Sequence, residues 1–223
     1  LACTIRWLAG GSYWDISALF GIGAGGFYSE TGPLWPMVYA LEAALAPYMK
    51  FDLTEEGCAK AAAGFSKFSS GYLDKCVCAV DGLVVRTRAP YVSELPSAQD
   101  RKSYRNRKGC WGMIAMAACT ADCQFVFWSC RHTGSVHDAL AIQGCDGGRT
   151  LMGESNLPVE VARMKEEGKM LPPGYYGVGD DAFANCDTLL APWSGRCLTE
   201  WKDSFNFHLS AMRQCIERAF GML

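Results

Sequence analysis

The chain has 223 residues, of which 50% are hydrophobic and 20% are charged, and its formal net charge is −2 at pH 7. This composition indicates a globular protein with a core of ordinary size, and the mild net charge gives no global signal for nucleic-acid binding. No apolar stretch reaches the roughly 20 residues of a transmembrane helix and the N-terminus lacks the layout of a secretion signal, so we expect a soluble intracellular protein.

Twelve cysteines are scattered through the sequence. In a domain-sized chain without a signal peptide, we expect most of them to be reduced. The close pairs Cys76/Cys78 and Cys119/Cys123 lack a second pair at zinc-ribbon spacing, so they do not predict a structural zinc site.

The first 26 residues predict short helices separated by turns. Asp15 is a candidate helix cap, and the glycine-rich stretch 21–26 should end the helix that follows it. A dinucleotide-binding loop would need a strand before these glycines, and the pattern predicts none. Residues 34–50 carry apolar side chains at helical spacing and predict a further helix.

Beyond residue 75 the apolar pattern becomes strand-like. The runs 76–85, 112–119 and 124–130 predict three successive antiparallel strands, the last two joined by a turn at 120–123. The chain therefore predicts a sheet that follows an N-terminal helical region.

The segment after the third strand predicts a helix start, with Ser135 as N-cap and Asp138 three residues later in the position of a capping box. Residues 145–173 are polar and rich in glycine and proline, and they predict a loop with one short helix near 158–167. The remaining predicted elements are a short strand and a C-terminal helix, at 175–179 and 208–222.

A dense group of cations lies between the first two predicted strands, in residues 101–108. The side chains that could hold phosphates are Arg101, Arg105, Arg107 and Lys108, with Tyr104 among them. Such contacts would position DNA without reading its sequence. A solvated loop is the alternative that charge alone leaves open.

Four carboxylates could serve as oxygen ligands for a hard cation such as Mg²⁺. They are Asp81, Asp138, Asp180 and Glu217. A charged residue inside an apolar strand, as at Asp81, is costly unless it is paired or bound to a metal. For Asp138 a role as helix cap stays open, and for Glu217 an ordinary i,i+4 pair with Arg213 stays open.

Five short motifs occur in a fixed order: CAVDG at 78–82, YRNRKG at 104–109, GSVHD at 134–138, VGD at 178–180 and IERAFG at 216–221. Together they resemble the successive motifs of the Harbinger (PIF-type) DDE transposases and their domesticated nuclease relatives. The resemblance implies a ribonuclease-H-like α/β fold, a mixed sheet flanked by helices, preceded by a helix-turn-helix-like segment and a linker helix. It also implies dependence on a divalent metal, Mg²⁺ or Mn²⁺, and action on DNA phosphodiester bonds.

On this resemblance we expect residues 1–65 to form the N-terminal helical segment and residues 66–223 to form the nuclease domain. The expected catalytic residues are Asp81, Asp180 and Glu217. The expected metal ligands are these three together with Asp138. We expect DNA as substrate, with a separate DNA-binding protein and a second copy of the chain as candidate partners, and we expect the protein in the nucleus.

The chain also departs from the family pattern. The glycines at 21–26, with Pro33 and Pro36 close behind, lie where a recognition helix should begin. The segment 131–133 replaces the usual aromatic-proline approach to the Gly-Ser motif. Two functions therefore compete: an active nuclease or transposase, and a domesticated or decayed, non-catalytic DNA- or protein-binding derivative. Retention of all four carboxylates favours the first, because a scaffold has no use for like charges crowded into one site.

Overall fold

The structure is a computed structural model that describes residues 1–95, 97–145, 150–151 and 168–223. The chain forms two compact units, residues 1–50 and 51–223. Within the described ranges, no helix combines the length and the apolar content that crossing a membrane requires.

The first unit is helical. Its elements are α1 (Ala2–Leu8), α2 (Tyr13–Phe20), α3 (Ala24–Tyr28) and α4 (Leu34–Leu45), the last continued by a 3₁₀ turn at Ala46–Tyr48. These helices enclose a small core formed by Cys3, Ile16, Phe27 and Leu34.

Helix α2 begins differently from the prediction. Its N-cap is Ser12 and not Asp15, because the Ser12 hydroxyl accepts a hydrogen bond from the Asp15 N–H at 3.1 Å. The helix ends at Gly21, whose φ of +65° is left-handed and suits a glycine. Since a helix and not a strand precedes the glycine run, the run does not form the strand–loop–helix that dinucleotide binding needs.

The second unit contains a five-stranded sheet. Its strands are β1 (Cys76–Arg86), β2 (Gly112–Cys119), β3 (Phe125–Thr133), β4 (Tyr176–Val178) and β5 (Leu189–Leu190). They lie in the order β3-β2-β1-β4-β5. The pairs β1–β2 and β2–β3 are antiparallel, as predicted, whereas β1–β4 and β4–β5 are parallel. This mixed sheet with flanking helices is compatible with the ribonuclease-H-like α/β class.

The helices that the structure describes over their full length in this unit are α5 (Glu55–Ser66), α6 (Ala98–Ser103), α7 (Asp138–Gln143) and α8 (Glu200–Gly221). Two clusters of buried side chains pack on the sheet, and α7 contributes to one while α8 contributes to the other. Helix α8 begins at Glu200, earlier than the predicted start near residue 208. The helix predicted near 158–167 lies outside the described residues.

Helix α5 belongs with the sheet. Thr54 caps it by accepting a hydrogen bond from the Gly57 N–H at 3.1 Å, and its Cys58 and Ala62 side chains enter the core under the sheet. The predicted boundary after residue 65 put this helix with the N-terminal segment, whereas the compact second unit already begins at residue 51.

Two glycines tie the basic segment to the chain that leads into α7. The Gly112 N–H donates to the Tyr104 carbonyl at 2.8 Å, and the Gly134 N–H donates to the Gly112 carbonyl at 2.9 Å. A Cβ at Gly134 would lie 2.8 Å from both carbonyl oxygens, so the backbone has no room for a side chain there. These two hydrogen bonds, which we call the glycine strap, hold two segments of the candidate site together.

We expect Gly134→Ala to lower the free energy of unfolding by about 1–3 kcal/mol, because two backbone carbonyls would have to move. Gly221→Ala is the matched control, since a Cβ there meets nothing within 4 Å. Its stability should stay equal or rise by up to about 1 kcal/mol. Urea unfolding followed by circular dichroism measures both. Equal stability of Gly134→Ala and the wild type would contradict the role of the strap.

Candidate functional site

Asp81 lies in the middle of the central strand, β1. It is paired opposite Ala117 of β2, and its side chain is only 19% exposed. One carboxylate oxygen, Oδ1, accepts a hydrogen bond from the Gly82 N–H at 2.8 Å. The other, Oδ2, lies 3.9 Å from the Arg213 guanidinium of α8. The side chain therefore points toward the α8 face of the sheet.

Gly82 faces the opposite side, because successive residues of a strand point to alternate faces. A Cβ at Gly82 would lie 2.6 Å from Asp138 Oδ1, so the Asp138 carboxylate packs directly on the strand backbone. An isolated glycine in a strand often marks such a close approach. Asp138 thus reaches β1 beside Asp81, from the α7 side.

The predicted capping box at Ser135 and Asp138 is wrong. Helix α7 begins at Asp138, with His137 as N-cap and no side-chain hydrogen bond at the cap. The backbone of Ser135 belongs instead to the connection from β3, where its N–H donates to the Ser103 carbonyl at 2.8 Å. The capping box therefore does not explain the half-buried Asp138 carboxylate.

Asp180 follows the end of β4 by two residues. The parallel register pairs Ala79 with Val178, so Asp81 and Asp180, each two residues further on, lie at the same level of the sheet. Neighbouring strands are about 4.8 Å apart. The Ala182 N–H donates to Asp180 Oδ1 at 3.0 Å, which orients this carboxylate at the strand end.

Three of the four predicted carboxylates line one pocket with a volume of about 340 Å³. Its lining residues are Asp81, Gly82, Val84, Asn106, Arg107, Lys108, Ile114, Gly134, Ser135, Val136, His137, Asp138 and Asp180. The pocket therefore brings acidic groups from two strands and one helix next to the basic turn.

Burial raises the pKa of Asp81 from 3.8 to about 6. The negative charges of Asp180 and Asp138 act in the same direction, whereas the Gly82 hydrogen bond and Arg213 oppose them. Burial also raises the pKa of Asp138. The negative charge of Asp180 raises this pKa further, whereas His137 and Arg107 lower it. The three carboxylates therefore repel one another through the pocket.

Glu217 is not among the residues that line the pocket, and its side chain is exposed on α8. It follows Arg213 by one helical turn, so both side chains lie on the same face of the helix. Because Arg213 approaches Asp81, Glu217 lies along the α8 side of β1, opposite to Asp138. The sequence pattern suggests Arg213 only as a helix partner of Glu217 and gives no sign of its approach to Asp81.

The four predicted phosphate-binding cations divide into two pairs. Arg107 and Lys108 line the pocket. Arg105 Nε donates to a backbone carbonyl of its own turn at 3.3 Å, and the Arg101 guanidinium lies 5.3 Å from the centre of the Trp111 ring. The second pair therefore braces the segment, and the first pair faces the carboxylates.

Asn106 shapes the turn that presents these cations, and it is absent from the predicted site residues. Its Oδ1 accepts hydrogen bonds from the Lys108 N–H at 3.0 Å and the Cys110 N–H at 2.9 Å. Gly109 completes the turn with a φ of +80°. Asn and Gly in this order are a turn signal that could have predicted the loop.

The donor chemistry of the pocket suits a hard divalent cation, since carboxylate oxygens are its preferred protein ligands. In the part of the chain that the structure describes, however, no three His, Cys, Asp or Glu side chains are grouped closely enough to hold a metal ion. Three carboxylates that repel one another without a counter-ion are expected to stand apart.

The raised pKa of Asp81 predicts a pH-dependent penalty in metal-free protein. The folded state holds this proton more tightly than the unfolded chain, so the wild type loses stability as the pH rises from about 4 to above 6. A difference of about two pH units between the two pKa values corresponds to about 3 kcal/mol. Asp81→Asn mimics the protonated form and should be more stable than the wild type by up to this amount at pH 7.5.

Urea unfolding in EDTA at pH 4 and pH 7.5 measures this difference, which should vanish at the lower pH. The control is Asp181→Asn, whose exposed side chain is next to Asp180. It should stay within about 0.5 kcal/mol of the wild type at both pH values. A destabilised Asp81→Asn at pH 7.5 would contradict the repulsion.

Comparison with known proteins assigns the chain to a family. The family model of the DDE superfamily endonucleases matches residues 80–223, which is more than half of the chain. The matched region contains all four carboxylates and the basic turn. No curated protein and no solved structure matches the chain.

Proposed function

The chain belongs to the DDE superfamily endonucleases, and from this premise we propose that it is a divalent-metal-dependent DNA nuclease of the transposase type. The observation that carries the proposal is the pocket that Asp81, Asp138 and Asp180 share with a basic turn. The five motifs in order further support a place among the Harbinger-type members.

Mg²⁺ or Mn²⁺ is the proposed cofactor. Asp81 and Asp180 would hold it from adjacent strands, with Glu217 from the α8 side and Asp138 from the α7 side as the further ligands. Divalent ions bound there would activate a water or a 3′-hydroxyl and stabilise charge on the leaving oxygen. The donors fit this role because they are all carboxylates, and burial raises the pKa of both Asp81 and Asp138, so a bound cation would stabilise their negative charge.

The chain's own residues would position the DNA. Arg107 and Lys108 place positive charge at the pocket, where they can bind phosphate oxygens beside the scissile bond. The apolar side chains of Val84, Ile114 and Val136 line the same pocket and reduce its exposure to water. Phosphate binding would thus bring a phosphodiester to the carboxylates.

The alternative function is a domesticated or decayed derivative that binds DNA or protein without cleaving it. The raised pKa of Asp81 argues against it, because a scaffold gains nothing from the cost of a crowded carboxylate. For the nuclease we further propose a helix-turn-helix identity of the N-terminal segment, a separate DNA-binding partner, a homodimer and nuclear localisation.

We expect Asp81→Asn and Asp180→Asn to lower Mn²⁺-dependent nicking of supercoiled DNA by more than about 100-fold, because loss of even an outer-shell partner of a metal costs 10- to 100-fold. Asp181→Asn should nick like the wild type. Wild-type protein that nicks no DNA with either metal, while it still binds DNA, would favour the non-catalytic alternative.

Two variants test which side of β1 supplies further metal ligands. They are Glu217→Gln on the α8 side and Asp138→Asn on the α7 side. If Glu217 is a ligand, Glu217→Gln should match the loss in Asp81→Asn. Asp138→Asn should cost about 10- to 100-fold if it is an outer partner and as much as Asp81→Asn if it is a ligand. Wild-type activity in Glu217→Gln would remove it from the catalytic set.

Replacement of Arg107 and Lys108 by Ala should weaken binding to unrelated duplexes alike. The slope of log K against log salt should become shallower by about 0.9 for each DNA phosphate that the double variant no longer neutralises. Fluorescence anisotropy in EDTA measures this slope without cleavage. The control is Arg131→Ala, an exposed cation on the edge strand β3. An unchanged slope in the double variant would exclude the turn from the DNA interface.

A further inference from the structure

Two exposed tryptophans and a lysine form a cluster outside the pocket. The rings of Trp193 and Trp201 meet edge to face, with centroids 5.6 Å apart. Lys202 Nζ lies 4.1 Å from the centre of the Trp193 ring and 5.6 Å from that of Trp201. The two tryptophans nevertheless stay 42% and 59% exposed. We call these three residues the stacking cluster.

Asn206 of α8 binds the backbone of Trp193, one member of the stacking cluster. The Asn206 Oδ1 accepts a hydrogen bond from the Trp193 N–H at 2.8 Å, and its Nδ2 donates to the Trp193 carbonyl at 2.9 Å. One side chain thus satisfies both backbone groups of Trp193. Lys202 precedes Asn206 by one helical turn and lies on the same face of the helix. The backbone of Trp193 is therefore anchored to α8 beside Lys202.

The strand register places this cluster at the same edge of the sheet as the carboxylates. Val178 of β4 pairs with Leu190 of β5, so Pro192 lies at the level of Asp180, and Trp193 follows directly. Because neighbouring strands are about 4.8 Å apart, the end of β5 lies about 10 Å from β1. The cluster itself lies farther away along α8, because Lys202 precedes Arg213 by 11 residues, which is about 17 Å of helix. At about 3.4 Å per nucleotide, a DNA strand covers this separation in about five nucleotides.

The chemistry of the cluster matches unpaired nucleotides. Aromatic rings bind bases by stacking, and a nearby cation attracts the backbone, which together is the usual way that proteins hold single-stranded DNA. A lysine packed on tryptophan can also stabilise a surface by itself. That structural role alone does not account for the 59% exposure of Trp201.

We propose that Trp193 and Trp201 stack on unpaired bases of the DNA substrate a few nucleotides from the cleavage site, with Lys202 close to the backbone. The inference rests on the proposed function, since that function supplies DNA as the ligand. The cluster would hold a strand end or a locally melted strand while the phosphodiester lies at the carboxylates.

The test compares a fluorescent single-stranded DNA with an abasic strand of the same length, by anisotropy in EDTA. The abasic strand keeps the phosphates and lacks the rings. The full-length wild type should bind the intact strand about 5- to 100-fold more tightly, as expected for stacking of one base. Trp201→Ala should lose most of this preference at an unchanged salt slope, and Trp201→Phe should keep most of it.

The matched control is Phe207→Ala on the same helix, an aromatic residue that is 71% exposed. It lies about 140° around the helix from Lys202 and should bind both strands like the wild type. Equal binding of intact and abasic DNA by the wild type would overturn the inference. So would an unchanged preference in folded Trp201→Ala, with folding checked by thermal melts. The cluster would then have a structural role or bind a protein partner.

The two proposals can fail separately, because the binding test needs no metal and no cleavage. A preference for intact DNA without any nicking would contradict the nuclease activity and support base stacking by the cluster. Nicking without a preference for intact over abasic DNA would contradict base stacking by the cluster and support the nuclease activity.

Discussion

The parallel pairing of β1 with β4 is the constraint on which the site depends. It sets Asp81 and Asp180 at one level of the sheet, about one strand spacing apart. Burial in the central strand is the main reason that the pKa of Asp81 is raised to about 6, and the like charge of Asp180 adds to it. Two features lower the cost of this buried charge: the Gly82 hydrogen bond and the guanidinium of Arg213. A divalent cation would offset it much further.

The two faces of β1 are covered by different elements. On one face lie α7 and the basic turn, which the glycine strap joins. On the other face, α8 carries Arg213 and Glu217 toward its end and two members of the stacking cluster, Trp201 and Lys202, at its start. One long helix therefore connects the proposed chemistry to the proposed binding of DNA, so a shift of α8 would affect both together.

Much of the sheet could be predicted from sequence, because β1, β2 and β3 are apolar runs long enough to show a strand pattern, and Asp81 stands out as a charge within one of them. The predicted capping box at Ser135 is wrong because the backbone of Ser135 is engaged by Ser103, more than 30 residues earlier. Arg213 beside Asp81 and Asn206 clamping Trp193 depend on how α8 docks, and local patterns carry no information on docking. The roles of Glu217 and Asp138 stay predictions for the same reason.

The central claim is that this pocket holds a divalent metal, and titration calorimetry of Mn²⁺ into metal-free protein tests it most directly. We expect the wild type to bind the ion and Asp81→Asn to bind it at least about 10-fold more weakly. Absence of binding to the folded wild type, or equal affinity in the two proteins, would contradict the account.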